Sequence, residues 1–389
     1  MKKFNRLILI LFSCFMMVGC NNKTNNQETI SLDEVRLGIN SAVKDIKDGK
    51  YSNLSIGDIN VKITESNSLK QLQLSTEYNY FTDSEKYIEE VPNIIKFLLQ
   101  DDNINNDYIF DPNSGDKYND LVEKCKNKDF ENPMINYDDG EKYVSFGPTM
   151  NYIWMVKDNL KKKYGQNSEE FSTLVSSNFD IVKTYLVNEN IDLKKEIYKL
   201  VDGEYSVQDA IEFVENYYNN EFKYNNNKDF TIDVYKVNVL SLDESTYAYQ
   251  FLVRREYKGI PFDTLENGAS HDDFGKRIFD MGECLVAYKD SIESIVGVYP
   301  NDLINKEDNK VDKIISLSDA ISNISEELTN ETVFDIESIE LLYVESTLKE
   351  TLDKAVPTWK VTAFNKTDNS TIYAYCDVVT GEVSTLVVY

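Results

Sequence analysis

The chain has 389 residues with 41 Lys plus Arg against 67 Asp plus Glu, a formal net charge of −26. Such a surface repels nucleic acid and anionic headgroups, so nucleic-acid functions are excluded, and cations or basic protein patches are the electrostatically favoured partners. A single histidine and few cysteines argue against structural or catalytic zinc, which needs three or four Cys, His or carboxylate ligands.

The first element in chain order is an apolar run from Leu7 to Val18, preceded by Lys2, Lys3 and Arg6. It is too short for a spanning helix, which needs about 20 apolar residues, and fits a secretory leader. Met17-Val18-Gly19-Cys20 resembles the lipobox of bacterial lipoproteins, with Met17 where leucine is commonest. That resemblance implies a leader over residues 1–19, lipidation at Cys20 and anchoring to the extracytoplasmic face of the cell membrane. Loss of the leader takes the net charge to −29. Residues 20–30 are polar except for Ile30 and read as a disordered tether. Ten such residues reach roughly 17 to 19 Å by random-coil scaling, so the folded part is expected close to the membrane.

Three segments open with one helix-start signal: Ser31 to Glu34, Ser206 to Asp209 and Ser316 to Asp319. A serine cap with an acid three residues later satisfies free amides of the first turn. Each is followed by an apolar stripe at helical spacing: Ile39, Ala42, Val43, Ile46; Val207, Ala210, Ile211, Val214; Leu317, Ala320, Ile321, Ile324. Further helices are expected over Ser84 to Leu99 and Ser168 to Val201, the latter stopped by Gly203.

Strand patterns follow the helices. They cover Asp58 to Thr64 and Leu69 to Tyr78, then Phe230 to Leu240 and Thr246 to Tyr257, then Val333 to Glu345, Thr358 to Phe364 and Thr371 to Val379. Cys284 to Tyr288 and Ser294 to Val298 read as a further pair, and Asp139-Gly140 as a hairpin turn between Ile135 and Phe146. Along Thr246 to Tyr257 the alternation gives one aromatic, core-like face. Helices followed by antiparallel strands make an α+β order. The boundaries read as an N-terminal α+β region over 31–202 and two smaller units over 204–305 and 312–389. Residues 204–389 are expected to fold alone.

Catalytic patterns are scarce. Ser270 and His271 are sequence neighbours without a nucleophile elbow, and His271 is followed by Asp272 rather than by a zinc motif. Ser346 to Lys349 matches S-x-x-K, but Lys366-Thr367 is followed by Asp368 where the partner motif needs glycine. Asp111, Asn113 and Asp116 form an acidic turn that lacks the EF-hand glycine and closing acid. Cys125, Cys284 and Cys376 allow one disulfide at most. No enzymatic activity and no cofactor are expected.

Arg254 to Phe262 ("RREYKGIPF") followed by Cys284 to Leu303 resembles the FTP-type propeptide unit of secreted thermolysin-like proteases. "SLSDAISNIS", "VPTWKVTAF" and "TIYAYCDVVTGEV" resemble the PepSY unit that commonly follows it, with the turn Asp377 to Glu382 as the most specific piece. Related sheets occur in membrane-anchored extracytoplasmic regulators of sensor kinases. The resemblance implies PepSY-type, cystatin-like sheets and a non-catalytic role, such as binding a protease or sensor to inhibit, chaperone or regulate it. The alternative is a ligand-binding lipoprotein for peptides or cell-wall glycans. Arg254 and Arg255 are the candidate partner-binding residues, because paired arginines are frequent interface anchors; internal ion pairing is the other reading of these two.

Overall fold

The structure is a computed structural model that describes residues 29–30, 32–57, 61–62, 70–74, 84–127, 134–147, 153–164, 179–187, 191–221, 230–263, 282–297, 304–310, 314–328, 332–345 and 354–388. The chain begins with β1 (Thr29–Ile30), α1 (Leu32–Lys47), β2 (Leu54–Ile56), β3 (Val61–Lys62) and β4 (Lys70–Leu74). There follow α2 (Ser84–Leu99), β5 (Ile109–Phe110), α3 (Tyr118–Lys126), β6 (Ile135–Asp138), β7 (Lys142–Phe146), β8 (Ile153–Lys157) and α4 (Asn159–Tyr164). The middle holds β9 (Asp180–Leu186), β10 (Ile197–Lys199), β11 (Glu204–Ser206), α5 (Val207–Asn216), β12 (Phe230–Ser241), β13 (Tyr247–Tyr257), β14 (Ile260–Pro261), β15 (Gly282–Tyr288) and β16 (Ser291–Gly297). The last part is β17 (Ile304–Lys310), β18 (Ile314–Ile315), α6 (Leu317–Glu327), β19 (Phe334–Glu345), β20 (Lys354–Asn365), β21 (Ser370–Asp377) and β22 (Val383–Val388).

The fold is α+β, with mostly antiparallel sheets. Among the described residues the larger sheet runs β5-β6-β7-β8-β16-β15-β13-β12-β9, with β14 on β13. A second sheet runs β17-β4-β20-β19-β2, with β3 on β19 and β21 and β22 continuing from β20. Here β19 pairs β2 and β3 in parallel, whereas its pairing with β20 is antiparallel. Helices α2, α3 and α5 cover one face of the larger sheet around a core that includes Tyr87, Ile95, Leu121, Ile211, Phe251 and Cys284. Helices α1 and α6 cover the second sheet, where Ala42, Ile46, Leu317, Ala320 and Ile321 share a core with Trp359 and Val361.

The two serine caps that lie within the described residues form as the local sequence dictates. The Ser206 hydroxyl accepts from the Asp209 amide at 3.0 Å and donates to its carboxylate at 2.6 Å; Ser316 does the same with Asp319 at 3.0 and 2.7 Å. Their apolar stripes are buried throughout. Replacing either serine by alanine should cost about 1 kcal/mol, the usual value of a side-chain cap, read as a lower midpoint in urea unfolding at unchanged slope.

Two expectations need correction. The described part of the helix expected over Ser168 to Val201 forms β9 and β10 instead. Ile181, Thr184 and Tyr185 are β-branched or aromatic and pair along β12, which outweighs any helical spacing. Gly203, with φ +152°, lies in the turn between β10 and β11, where Leu200 N–H bonds its carbonyl at 2.8 Å. The aromatic face of β13 is core as expected, with Tyr249 and Phe251 in the first core, and the opposite face is buried too, where Ala248 packs with Leu240 and Leu285. Second, the boundary at residue 203 does not divide the sheets. Strand β4 pairs β20 and β17, β8 pairs β16, and β9 pairs β12, so 204–389 is not a self-contained set of strands.

Candidate functional site

Cys20 lies outside the described residues, as do Ser270, His271 and Ser346 to Lys349. Arg254 and Arg255, expected to meet a partner, are 3% and 5% exposed. Alternation sends them to opposite faces of β13. The Arg254 guanidinium bonds Asp233 on β12 through Nε at 2.9 Å and Glu340 on β19 through a terminal nitrogen at 3.0 Å, and it stacks over Tyr235 at 5.1 Å. Burial disfavours its charge, but the Glu340 and Asp233 carboxylates outweigh that and hold its pKa above the usual arginine range. The candidate interface role is therefore corrected: buried and paired, this side chain is not presented to a partner, and the internal ion pair is the arrangement found.

Glu340 leads to a second pair. Lys360 on β20, also buried, bonds Asp263 at 2.6 Å, and the Tyr375 hydroxyl donates to the other Asp263 oxygen at 2.9 Å. The ammonium lies 4.7 Å from the Tyr373 ring centre and 5.7 Å from that of Tyr375. Burial alone would lower the lysine pKa; Asp263 beside it overrides this and raises it. Burial, then Asp263, pushes the Tyr375 hydroxyl well above the usual tyrosine range.

These charges join the two sheets. Asp233, Arg254 and Asp263 come from the larger sheet or the chain leaving it; Glu340, Lys360 and Tyr375 come from the second. The backbone makes the same crossing, because Asp263 N–H bonds the Tyr343 carbonyl at 2.8 Å while Phe262 and Tyr343 rings pack at 5.3 Å. Tyr257, Ile260 and Phe262, at the far end of β13 and beyond, belong to the second core. None of the partners Asp263, Glu340, Lys360 or Tyr375 was singled out from sequence, and no local signal marks them.

A different surface is open. Among the described residues β9 pairs only with β12 and ends the larger sheet. Ile181 and Val182 on it are 56% and 51% exposed, and Ile197 on the neighbouring β10 is 54% exposed. The Tyr185 hydroxyl ties β9 to β10 through Tyr198, at 2.7 Å, and through Glu196. An edge strand offers unpaired main-chain groups to an incoming strand, and Lys183 at its centre is the kind of residue that limits unselective pairing.

The acidic turn is held by its own donors. Asp111 accepts from the Asn113 amide at 2.8 Å and the Ser114 hydroxyl at 3.0 Å, and Asp116 pairs with Lys124. No group of three metal-ligating side chains occurs among the described residues. Cys125, Cys284 and Cys376 are all free thiols and buried; burial pushes Cys376 up to about 12.

No family model and no curated protein matches the chain. Among solved structures, an uncharacterized protein from Eubacterium rectale ATCC 33656 aligns over 86% of this chain and 91% of its own, at 14% identity and a TM-score of 0.53. The C-terminal domain of YpeB from Bacillus megaterium aligns over 81% of this chain and 99% of its own, at 14% identity and a TM-score of 0.32. The second likeness is too slight to carry weight. The first shows that this chain shares its overall fold with the Eubacterium rectale protein.

Proposed function

We propose that this chain is a lipoprotein, anchored through Cys20 at the extracytoplasmic membrane face, that binds another protein to inhibit, chaperone or regulate it. A protease or a sensor is the partner class, from the resemblance of residues 204–305 to FTP-type and 312–389 to PepSY-type propeptide units. The observation that carries the binding role is the β9 edge, with Ile181 and Val182 exposed at the end of the larger sheet. Adding a partner strand there would use main-chain hydrogen bonds for affinity and alternate side chains for selectivity. The second reading, a receptor for peptides or wall glycans, draws support from a polar patch on β6, β7 and β8 of the larger sheet.

Both parts are tested together by placing a photo-crosslinking residue at Ile181 in intact cells, with the exposed hairpin residue Glu244 as control position. The expected result is an adduct with one extracytoplasmic protein from position 181 and none from 244. Cys20→Ser should abolish acylation, leave an unprocessed or soluble form and diminish that adduct. Identical adducts from both positions, or none, would remove β9 from the interface; lipid-dependent membrane attachment that survives Cys20→Ser would remove the anchor.

A further inference from the structure

Strands β6, β7 and β8 have two unlike faces. Ile135, Tyr137, Val144, Phe146, Ile153 and Met155 enter the core beneath α2 and α3. By alternation Asn136, Ser145 and Trp154 stand on the opposite face, in one row across the three strands, because Asn136 is paired with Ser145 and Ser145 with Trp154. Tyr143 completes the group. Its hydroxyl accepts from Asn136 Nδ2 at 3.1 Å, and its ring meets Trp154 edge-on, with centres 5.8 Å apart at 77°.

Two polar atoms of this group are buried without a hydrogen-bond partner: Asn136 Oδ1, an acceptor, and Trp154 Nε1, whose N–H is a donor. Asn136 is only 9% exposed, while Tyr143, Ser145 and Trp154 are half-buried. Buried polar groups in folded proteins are nearly always satisfied. Two such atoms in one small cluster call for a common cause.

We propose that this patch binds the acetamido group of an N-acetylated amino sugar. The amide carbonyl accepts from Trp154 Nε1–H, and the amide N–H donates to Asn136 Oδ1. The sugar ring adds an apolar C–H face to pack against the Tyr143 and Trp154 rings. A peptide also carries amides, but it is captured most readily at a sheet edge, where main-chain groups are offered, and this patch is the face of paired strands. Entry requires rotation of half-exposed side chains, a fast motion. The encounter with wall sugars rests on the extracytoplasmic placement proposed above; the chemistry of the patch does not.

The test titrates the purified full chain with tri-N-acetylchitotriose, with its deacetylated trimer and with N-acetyl-dialanine amide, following tryptophan emission. The chain has two tryptophans and Trp359 is fully buried, so a change reports chiefly on Trp154. Saturable binding of the acetylated trimer is expected, at least tenfold tighter than either other probe. Asn136→Ala should weaken it at least tenfold. So should Trp154→Phe, which keeps a ring and deletes the N–H, read by calorimetry; this variant decides the matter if Asn136→Ala is poorly folded. Failure of all probes to saturate, equal binding of the dipeptide, or undiminished binding by the folded variants would overturn the proposal. None of these results bears on the Ile181 adduct, so the two readings fail separately.

Discussion

Replacing Lys360 by methionine should lower the free energy of unfolding by about 3–5 kcal/mol, the usual cost of removing one partner from a buried ion pair. The loss arises less from the missing attraction than from what stays behind. Asp263 would keep a buried carboxylate bonded to the Tyr375 hydroxyl, without the ammonium now 2.6 Å away. Replacing both partners, as Asp263→Leu with Lys360→Met, should cost much less than the sum of the single changes. Urea unfolding of the four proteins measures this coupling. The pH dependence has a definite sign. The lysine pKa is raised in the folded state, so its contribution is complete below the ordinary lysine value of 10.5 and is lost as pH rises through the higher folded value. The gap between wild type and Lys360→Met should therefore be flat through neutral pH and close only in strong alkali.

Arg254→Ala is expected to cost a similar amount, about 3–5 kcal/mol, because it takes one cation from two carboxylates at once. Asp233 and Glu340 would then face each other across the junction of the sheets, and Tyr235 would lose its stacked guanidinium. Arg254→Lys should recover only part of this, since a lysine keeps the charge but cannot reach two acids through a planar fork. Thermal unfolding gives the order wild type, lysine, alanine. An alanine variant that melts with wild type would show that the network contributes little. Any loss of partner capture in this variant has to be judged against its stability, which is why Ile181 on the open edge is the better position for probing recognition.

What the sequence revealed depended on how far apart the determinants lie. Helix α2 is found over Ser84–Leu99, the limits its apolar spacing indicates, and the caps at Ser206 and Ser316 are set by acids three residues away. The β15–β16 pair and the strands β19, β20 and β21 are legible for the same reason: each alternation is complete within a dozen residues. Arg254 illustrates the opposite case. Two adjacent arginines in an acidic chain look like a surface anchor, and nothing nearby shows that Glu340, 86 positions on, will bury one of them. Lys360 and Asp263 are 97 positions apart and Tyr375 and Asp263 are 112 apart. Strand partnership has the same character. The pattern of β4 indicates a strand, but not that its neighbours will be β17 and β20, and so the boundary at residue 203 cut across two sheets.

The division of strands between the sheets also imposes an order of assembly on a chain that emerges from its N-terminus. Every described strand of the larger sheet lies between Ile109 and Gly297, so those strands are all complete while the last quarter of the chain is still being made. Helix α1 and strands β2 to β4 emerge earlier yet have nothing to join until β17, β19 and β20 arrive. Ala42, Ile46, Leu54 and Leu72, all buried in the finished protein, must wait in water through that interval. A product cut short after Gly297 would keep this early segment permanently without its sheet, and its apolar side chains would remain open to proteases and to other unfinished chains.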